Sequence, residues 1–351
     1  MMDLKDKNIL IIMPEFYSFQ TNLKDELESR GAYVKFYDEE PKKTKFLILK
    51  NMESIFHKKD VFGKFNRQLT NQIIAEKPAE GYDYFLVIRG NVLSDETIIT
   101  IKERALKNGA KTIYYTWDPV EYVRHKGKLG LLFDKRYDFD SVDVRNTDMG
   151  YELLPLFYTD EFDAADWQKP DEYLYDYVSV SAFFPYRYRY LKAFKKANPD
   201  KKLLFKLYLS PVVYWGKKIK DPKLVKNLDM DIITFKPYTH DEMRQQCKET
   251  RAILDLTQEH QQGLTMRTLE TVGAKLKLVT NNAYINEYDF YNDNDYVIMS
   301  DLSAKADEAE RTGDYSAFIL PGEDWLSKPY QENEEIRRSY SIHAFIEKVF
   351  N

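Results

Sequence analysis

Short apolar runs alternate with amphipathic stretches along the chain, and this alternation limits the possible folds more than any other feature. The apolar run Asn8–Met13 predicts a buried strand, and the helix predicted over Thr21–Arg30 ends before Gly31, a residue type that commonly follows the last turn of a helix. Further strands and helices are predicted, in order, over Tyr33–Tyr37, Gly63–Glu76, Tyr84–Ile88, Ser94–Asn108 and Thr112–Thr116. Repeated strand–helix units predict a mostly parallel sheet with helices on both faces.

A polar stretch, Thr159–Glu172, interrupts this alternation and is predicted to be a linker, because it holds four Asp and two Glu among fourteen residues. The alternation then restarts. Strands are predicted over Tyr177–Ala182, Leu203–Leu209, Asp231–Phe235, Ala252–Thr257 and Leu276–Thr280, and helices over Arg187–Lys196, Asp241–Lys248 and Leu264–Ala274. The final stretch, Glu332–Val349, also has helical spacing.

The chain of 351 residues is long enough for two domains. The predicted fold is α/β, with two doubly wound, Rossmann-type domains facing across a cleft. The first domain is predicted over residues 1–160 and the second over residues 175–325, followed by a helical tail, 326–351, that packs back towards the first domain. Doubly wound sheets bind ligands at the carboxyl ends of their strands, so the cleft is the expected place for a site.

Composition excludes several classes of protein. A net charge of −5 argues against a general nucleic-acid binder, which needs clustered Lys and Arg. The single cysteine, Cys247, rules out a disulfide within the chain and suits a reducing cytoplasm. The apolar run Ile9–Met13 is too short for a signal peptide or a membrane span. We therefore expect a cytoplasmic protein, with contact to the inner face of the membrane left open.

The segment Gln261–Glu270, QQGLTMRTLE, carries the most specific chemistry. A helix predicted from Leu264 would leave the backbone N–H groups of Gly263, Leu264 and Thr265 without helical partners, and such groups bind anions such as a diphosphate. Glu270 lies about 10 Å along the helix axis, which is near the distance from the diphosphate of a nucleotide to its ribose hydroxyls. A carboxylate can accept hydrogen bonds from both hydroxyls.

This segment resembles the nucleotide-sugar motif of GT-B-fold glycosyltransferases, in which an acidic residue is followed after seven residues by Glu. Here Gln262 stands at the first position and Glu270 at the second, with Arg267 between them. The stretch Asp176–Leu191 resembles the opening of the donor domain in the same proteins. By this resemblance Arg187 is the candidate for the diphosphate, with Lys206 as a further cation.

The resemblance extends to bacterial capsule and lipopolysaccharide transferases and to CgeB-like transferases. It implies an enzyme that moves a sugar from a nucleotide-diphosphate sugar to a saccharide or lipid-linked acceptor in cell-surface polysaccharide assembly. It implies neither a cofactor nor a metal, since the helix dipole and basic side chains would neutralise the leaving diphosphate. Asp-x-Asp pairs, which hold a metal in the other main transferase fold, occur three times, as expected by chance in so acidic a chain.

The catalytic base is predicted in loops that follow strands of the first domain. Asp118 is the first candidate and Glu15 the second, because an inverting transferase needs a carboxylate or histidine at the acceptor hydroxyl. The structural alternative for Asp118 is a turn or helix-capping residue. The nearby basic run Arg124–Lys128 is either a solvated loop or a contact for an anionic, lipid-linked acceptor.

Two other functions remain open at this point. A sugar-nucleotide 2-epimerase shares the fold but needs several acid–base groups around the sugar, and the chain has only five His. A non-catalytic module that binds a nucleotide sugar would need the donor site alone.

Overall fold

The computed structural model describes residues 2–42, 61–165, 167–168, 170–220, 226, 228–258, 261–331 and 333–351. The chain divides into two compact units. Unit 1 comprises Met1–Leu156, Gln261–Gly263 and Ile342–Asn351, and unit 2 comprises Phe157–His260 and Leu264–Ser341.

The strands have the following bounds: β1 Asn8–Met13, β2 Tyr33–Asp38, β3 Tyr82–Ile88, β4 Leu106–Tyr115, β5 Lys135–Asp138, β6 Glu152–Leu153, β7 Tyr175–Ala182, β8 Leu203–Tyr208, β9 Ile233–Thr234, β10 Thr250–Asp255, β11 Lys277–Thr280 and β12 Tyr296–Ile298. The α-helices are α1 Phe19–Ser29, α2 Gly63–Glu76, α3 Asp95–Ala105, α4 Ser141–Asn146, α5 Pro185–Ala197, α6 Pro211–Lys220, α7 His240–Glu249, α8 Met266–Gly273, α9 Leu302–Thr312, α10 Glu323–Leu326, α11 Glu334–Ser339 and α12 Ile342–Phe350.

Unit 1 is built on a parallel sheet with the strand order β2-β1-β3-β4-β5-β6. Its central strands are apolar because both faces of the sheet are covered, and Leu10, Phe85 and Tyr114 are fully buried in its core. Ser94 caps α3 as its sequence position predicts, since its hydroxyl accepts a hydrogen bond from the backbone N–H of Thr97. The strand order reverses between β1 and β3, which places the ligand crevice of a doubly wound sheet at their carboxyl ends.

Unit 2 repeats this design with the strand order β12-β11-β10-β7-β8-β9, again parallel throughout. Its core contains Tyr177, Leu191, Phe194 and Leu207, all 4% exposed or less. The order reverses between β7 and β10, since the chain leaves β7 towards β8 on one side and later returns with β10 on the other. The predicted α/β fold class, with two doubly wound Rossmann-type units, is confirmed.

Several predicted elements have different bounds. The helix predicted from Leu264 begins at Met266, because Thr265 has an extended backbone and its hydroxyl caps the helix by accepting from the N–H of Thr268. The tail predicted as one helix forms two, α11 and α12. The strand predicted over Asp231–Phe235 is reduced to β9.

In the part of the chain that the structure describes, no helix has both the length and the apolar character needed to cross a membrane.

Candidate functional site

Glu270 lies in unit 2, inside α8, and its side chain is almost fully buried at 3% exposure. One turn earlier on the same helix, Arg267 places a guanidinium nitrogen 2.9 Å from Oε2 of Glu270. A buried carboxylate needs such a partner, because removing a charge from water without compensation costs several kcal/mol. The Arg-x-x-Glu spacing seen in the sequence is thus a paired, buried constellation rather than a solvated helix face.

His240 supplies the second partner of Glu270, at 3.3 Å between Nε2 and Oε1. The other ring nitrogen, Nδ1, contacts the carboxylate of Glu161. His240 is held at the first position of α7, where Thr239 and Glu242 form a capping box. The helix predicted from Asp241 thus begins one residue earlier, and His240 was not predicted as a site residue, although the Thr-His-Asp-Glu pattern contains the signal for the cap.

The start of α8 is tied to the end of β10 through Asp255. Its Oδ2 atom accepts hydrogen bonds from the hydroxyls of Thr265 and Thr268. A carboxylate therefore already lies beside the first turn of α8, where a helix attracts anions. The N–H groups with helical geometry at this end begin at Met266, two residues beyond the predicted start.

Arg187 lies at the point where the strand order of unit 2 reverses. It occupies the first turn of α5, directly after β7, and its Nε donates to the carbonyl oxygen of Leu256, just beyond β10, over 2.8 Å. Its guanidinium also lies over the ring of Phe184, 5.1 Å from the centroid. This position agrees with where a doubly wound sheet binds ligands, at the carboxyl ends of the two diverging strands.

Lys206 has a different environment. Its ammonium donates to the backbone carbonyl of Asp231 over 2.6 Å, and Asp231 precedes β9. The side chain thus leans towards the amino end of β9, away from the edge that carries Arg187. Its role in donor binding stays a prediction.

Gln262 and Gly263 group with unit 1, whereas Leu264, Thr265, Arg267 and Glu270 belong to unit 2. The backbone N–H groups of Gln262 and Gly263 both donate to Oδ2 of Asp140. A side chain on Gly263 would collide with Phe139, since a Cβ atom there would lie 2.6 Å from its ring. The N–H group of Gly263, one of the three predicted to bind a diphosphate, therefore already donates to a carboxylate.

At the carboxyl edge of unit 1, Arg89, which follows β3, pairs with carboxylates that follow two other strands. It pairs with Glu39 and Glu40, which follow β2, and its NH1 nitrogen lies 3.9 Å from Asp118, after β4. Glu39 is fully buried and also accepts from the N–H of Asn91. Burial raises the pKa of Glu39 to about 7, against the opposing effect of Arg89. Glu39 and Glu40 were missed because charged residues at a strand end are usually solvated.

Asp118, the first candidate base, keeps 47% of its side chain exposed. Desolvation by the surrounding protein raises the pKa of Asp118, while Arg89 lowers it and the charge of Glu40 adds to the increase. Turns rather than an α-helix follow it, so Asp118 is not a helix cap. Glu15, the second candidate, is exposed beyond β1, and its charge helps to raise the pKa of Asp38, for which burial is the largest cause.

Each of the three Asp-x-Asp pairs has a member with protein partners. Asp140 caps α4 through the N–H groups of Val142 and Asp143. Asp229 and Asp231 both pair with Lys195, at 2.8 and 3.1 Å. The third pair is represented by Asp295, a buried residue 3.2 Å from Lys277.

The architecture has close counterparts among solved structures. Sucrose-phosphate synthase from Thermosynechococcus elongatus matches with a TM-score of 0.61 at 11% identity, covering 97% of both chains. A glycosyltransferase from Rickettsia africae matches with a TM-score of 0.58 at 12% identity, covering 98% of this chain and 96% of the other. The UDP-GlcNAc 2-epimerase of Methanocaldococcus jannaschii, solved with UDP-GlcNAc and UDP, matches with a TM-score of 0.51 at 12% identity, covering 97% and 99%.

No family model matches the sequence, and no curated protein matches it at a significant level. At identities this low, the solved structures establish the GT-B-like fold and leave the chemistry to be argued from the residues.

Proposed function

We propose that this protein is a glycosyltransferase that uses a nucleotide-diphosphate sugar. Unit 2 binds the donor at the carboxyl ends of β7 and β10, and the carboxyl edge of unit 1 binds the acceptor. The observation that carries the proposal is the buried carboxylate of Glu270, held by Arg267 and His240 within the motif that resembles a nucleotide-sugar site.

In the proposed donor site, Glu270 accepts hydrogen bonds from the ribose hydroxyls. Its Oε2 atom contacts the guanidinium of Arg267, its Oε1 atom contacts the imidazole of His240, and each oxygen retains a lone pair for a hydroxyl. Arg187 binds the diphosphate through the planar fork of its guanidinium, which matches phosphate geometry. The start of α8, from Met266 onwards, adds the positive end of the helix dipole to this charge.

The acceptor is a saccharide whose hydroxyl loses its proton to Asp118. The raised pKa of this carboxyl brings it closer to the operating pH, where a general base is most effective. Glu15 is the alternative base. Glu40, which pairs with Arg89 and keeps 24% of its side chain exposed, can accept hydrogen bonds from further hydroxyls of the acceptor.

We further propose transfer without a metal or cofactor, because Arg187 and the start of α8 supply positive charge for the leaving diphosphate. The resemblance to capsule and lipopolysaccharide transferases suggests cell-surface polysaccharide assembly in a bacterial cytoplasm, with a lipid-linked acceptor as one option. Turnover that persists in excess chelator would support the metal-free mechanism.

Thermal-shift measurements with UDP, other nucleoside diphosphates and their sugars test the donor site directly. A ligand that binds the folded state raises the midpoint of unfolding by mass action. UDP-sugars come first, because the similar epimerase was solved with UDP-GlcNAc. If no nucleotide raises the midpoint, the proposal fails.

A sugar-nucleotide 2-epimerase is the second candidate, favoured by the same fold match. Incubation with the donor alone separates the two reactions, because only the epimerase converts the donor sugar into its epimer. Donor binding without transfer or hydrolysis, across a broad set of acceptors, would instead favour a non-catalytic binding module.

A further inference from the structure

The helix α6, in unit 2, exposes a stripe of large apolar side chains. Val212, Trp215 and Ile219 are 83%, 57% and 81% exposed. Their spacing of three and four residues places them on one face of the helix. Single exposed apolar residues are ordinary, but a contiguous stripe on one helix indicates a surface that binds something.

The opposite side of α6 anchors the helix to its unit. Tyr214 packs edge-on against Phe235, with ring centroids 5.0 Å apart, and joins the apolar core of unit 2. A Cβ atom added at Gly216 would meet nothing within 4 Å, so the outer side of the helix is open. The stripe can therefore bind a partner without any change in the fold.

A lysine lies beside the stripe on the same helix. The ammonium of Lys218 is 4.5 Å from the ring centroid of Trp215, whereas Lys217 lies on the side of Tyr214, with its ammonium 5.9 Å from the ring of Phe183. An exposed apolar stripe that includes a tryptophan and has a lysine beside it is typical of a helix that lies in the interface of an anionic membrane. The chain as a whole carries a net charge of −5, so this positive charge is a local feature of α6.

We propose that α6 docks unit 2 on an anionic lipid bilayer, with Val212, Trp215 and Ile219 inserted among the headgroups and Lys218 facing lipid phosphates. A folded protein partner fits less well, because stable interfaces bury about 800 Å² on each side, more than three side chains of a short helix provide. The helix begins at Pro211, three residues after β8 ends, so its first turn lies at the same edge of unit 2 as Arg187. Docking through α6 thereby brings this edge to the membrane surface.

Vesicle flotation with the full chain tests this proposal independently of any glycosyl transfer. The parent protein should float with vesicles of phosphatidylcholine and phosphatidylglycerol but not with phosphatidylcholine alone, and salt should weaken the binding. The triple variant V212S/W215S/I219S should lose it. The variant Lys218→Glu should bind at least fivefold more weakly, since one lysine contributes about fivefold at an anionic surface.

The matched control is Ile319→Ser, which removes a 59% exposed apolar side chain of unit 2 that lies outside α6. This variant should float like the parent. Trp215→Phe provides a second readout. Anionic vesicles should shift the tryptophan emission of the parent, and this shift should disappear in the variant although three other tryptophans remain.

The proposal is wrong if the parent does not float, or if the triple variant floats as well as the parent. It is also wrong if the parent self-associates, the triple variant does not, and vesicles have no effect on either. The last result would identify the stripe as an interface between copies of the chain. Donor binding is measured separately by thermal shift, so a failure of one proposal does not imply a failure of the other.

Discussion

His240 and Glu270 form a buried contact in unit 2, with 3.3 Å between Nε2 and Oε1, while Arg267 holds the other oxygen of the carboxylate. A carboxylate fixed from two sides cannot rotate freely, so its remaining lone pairs have defined directions. This rigidity distinguishes Glu270 from an ordinary surface glutamate and makes it suitable for recognising two neighbouring hydroxyls.

The variant Glu270→Gln should weaken binding of the nucleotide by roughly tenfold or more, because hydrogen bonds to a charged acceptor contribute about 1.5–3 kcal/mol. Gln is preferred to Ala, because Ala would remove the group that both Arg267 and His240 contact and would leave a cavity in its place. The sharpest measurement compares ribo- and 2′-deoxyribonucleotides: the parent should discriminate between them, and the variant should not. Glu335→Gln, at an exposed position of α11, is the control. Unchanged discrimination in Glu270→Gln would show that the ribose role is wrong.

Replacing His240 tests whether it positions Glu270. We expect His240→Ala to lower donor affinity by about tenfold. The affinity of His240→Gln should lie between those of the parent and His240→Ala, since a Gln amide can still donate to the carboxylate. Discrimination against the 2′-deoxyribonucleotide should fall in the same order. If His240 has only a structural role, both variants will lower the unfolding midpoint without ligand while the discrimination stays as in the parent.

Arg187 should matter for the phosphates rather than for the nucleoside. We expect Arg187→Ala to weaken nucleoside diphosphate binding by about tenfold or more while affecting the nucleoside little, because an arginine fork pairs with phosphate oxygens. Arg187→Lys should recover part of this loss. The control is Arg189→Ala on the same helix, where Arg189 pairs with Asp307 and Glu310. Equal losses in the two alanine variants would argue against a specific phosphate contact.

The sequence alone predicts the buried frame well. The strand Asn8–Met13 and the helix Gly63–Glu76 have the predicted bounds, because the spacing of their apolar residues indicates which side faces a core. The same logic explains why α6 was not predicted. Its apolar residues Val212, Trp215 and Ile219 face outwards, so no core-facing pattern marks the helix.

The candidate site was less predictable, because its contacts join residues far apart in sequence. Nothing in the local pattern links His240 with Glu270, thirty residues later. Glu39 stands in an acidic stretch that reads as solvated, yet it is fully buried against Arg89. At the start of α8, Gly263 and Thr265 are both plausible boundary residues, and only the threonine hydroxyl makes the cap.

Asp118→Asn should lower the rate of glycosyl transfer by about 10²–10⁴-fold, the usual contribution of a general base, with donor affinity unchanged. Because the pKa of Asp118 is raised, the acidic limb of the parent's pH–rate profile should lie above the ordinary range of aspartate. Glu15→Gln is the matched comparison at the same edge of unit 1. A large loss in Glu15→Gln with full activity in Asp118→Asn would transfer the role of base to Glu15.

Asp138 provides a test of stability against pH. This carboxyl is 1% exposed, and its Oδ2 atom accepts no hydrogen bond from the described residues. Burial raises its pKa to about 7, although the backbone N–H of Asp140 and the hydroxyl of Thr116 act to lower it. The folded state thus binds the proton more tightly than the unfolded state, so the free energy of unfolding falls as pH rises from about 4 to about 7. Asp138→Asn removes the titration and should raise the free energy of unfolding at pH ~8 by on the order of a few kcal/mol, with little change near pH ~4. Denaturant unfolding at both pH values measures this difference, and Asp148→Asn, at an exposed position, should have no effect at either. An equal loss of stability at both pH values would mean that Asp138 contributes through hydrogen bonding and not through its charge.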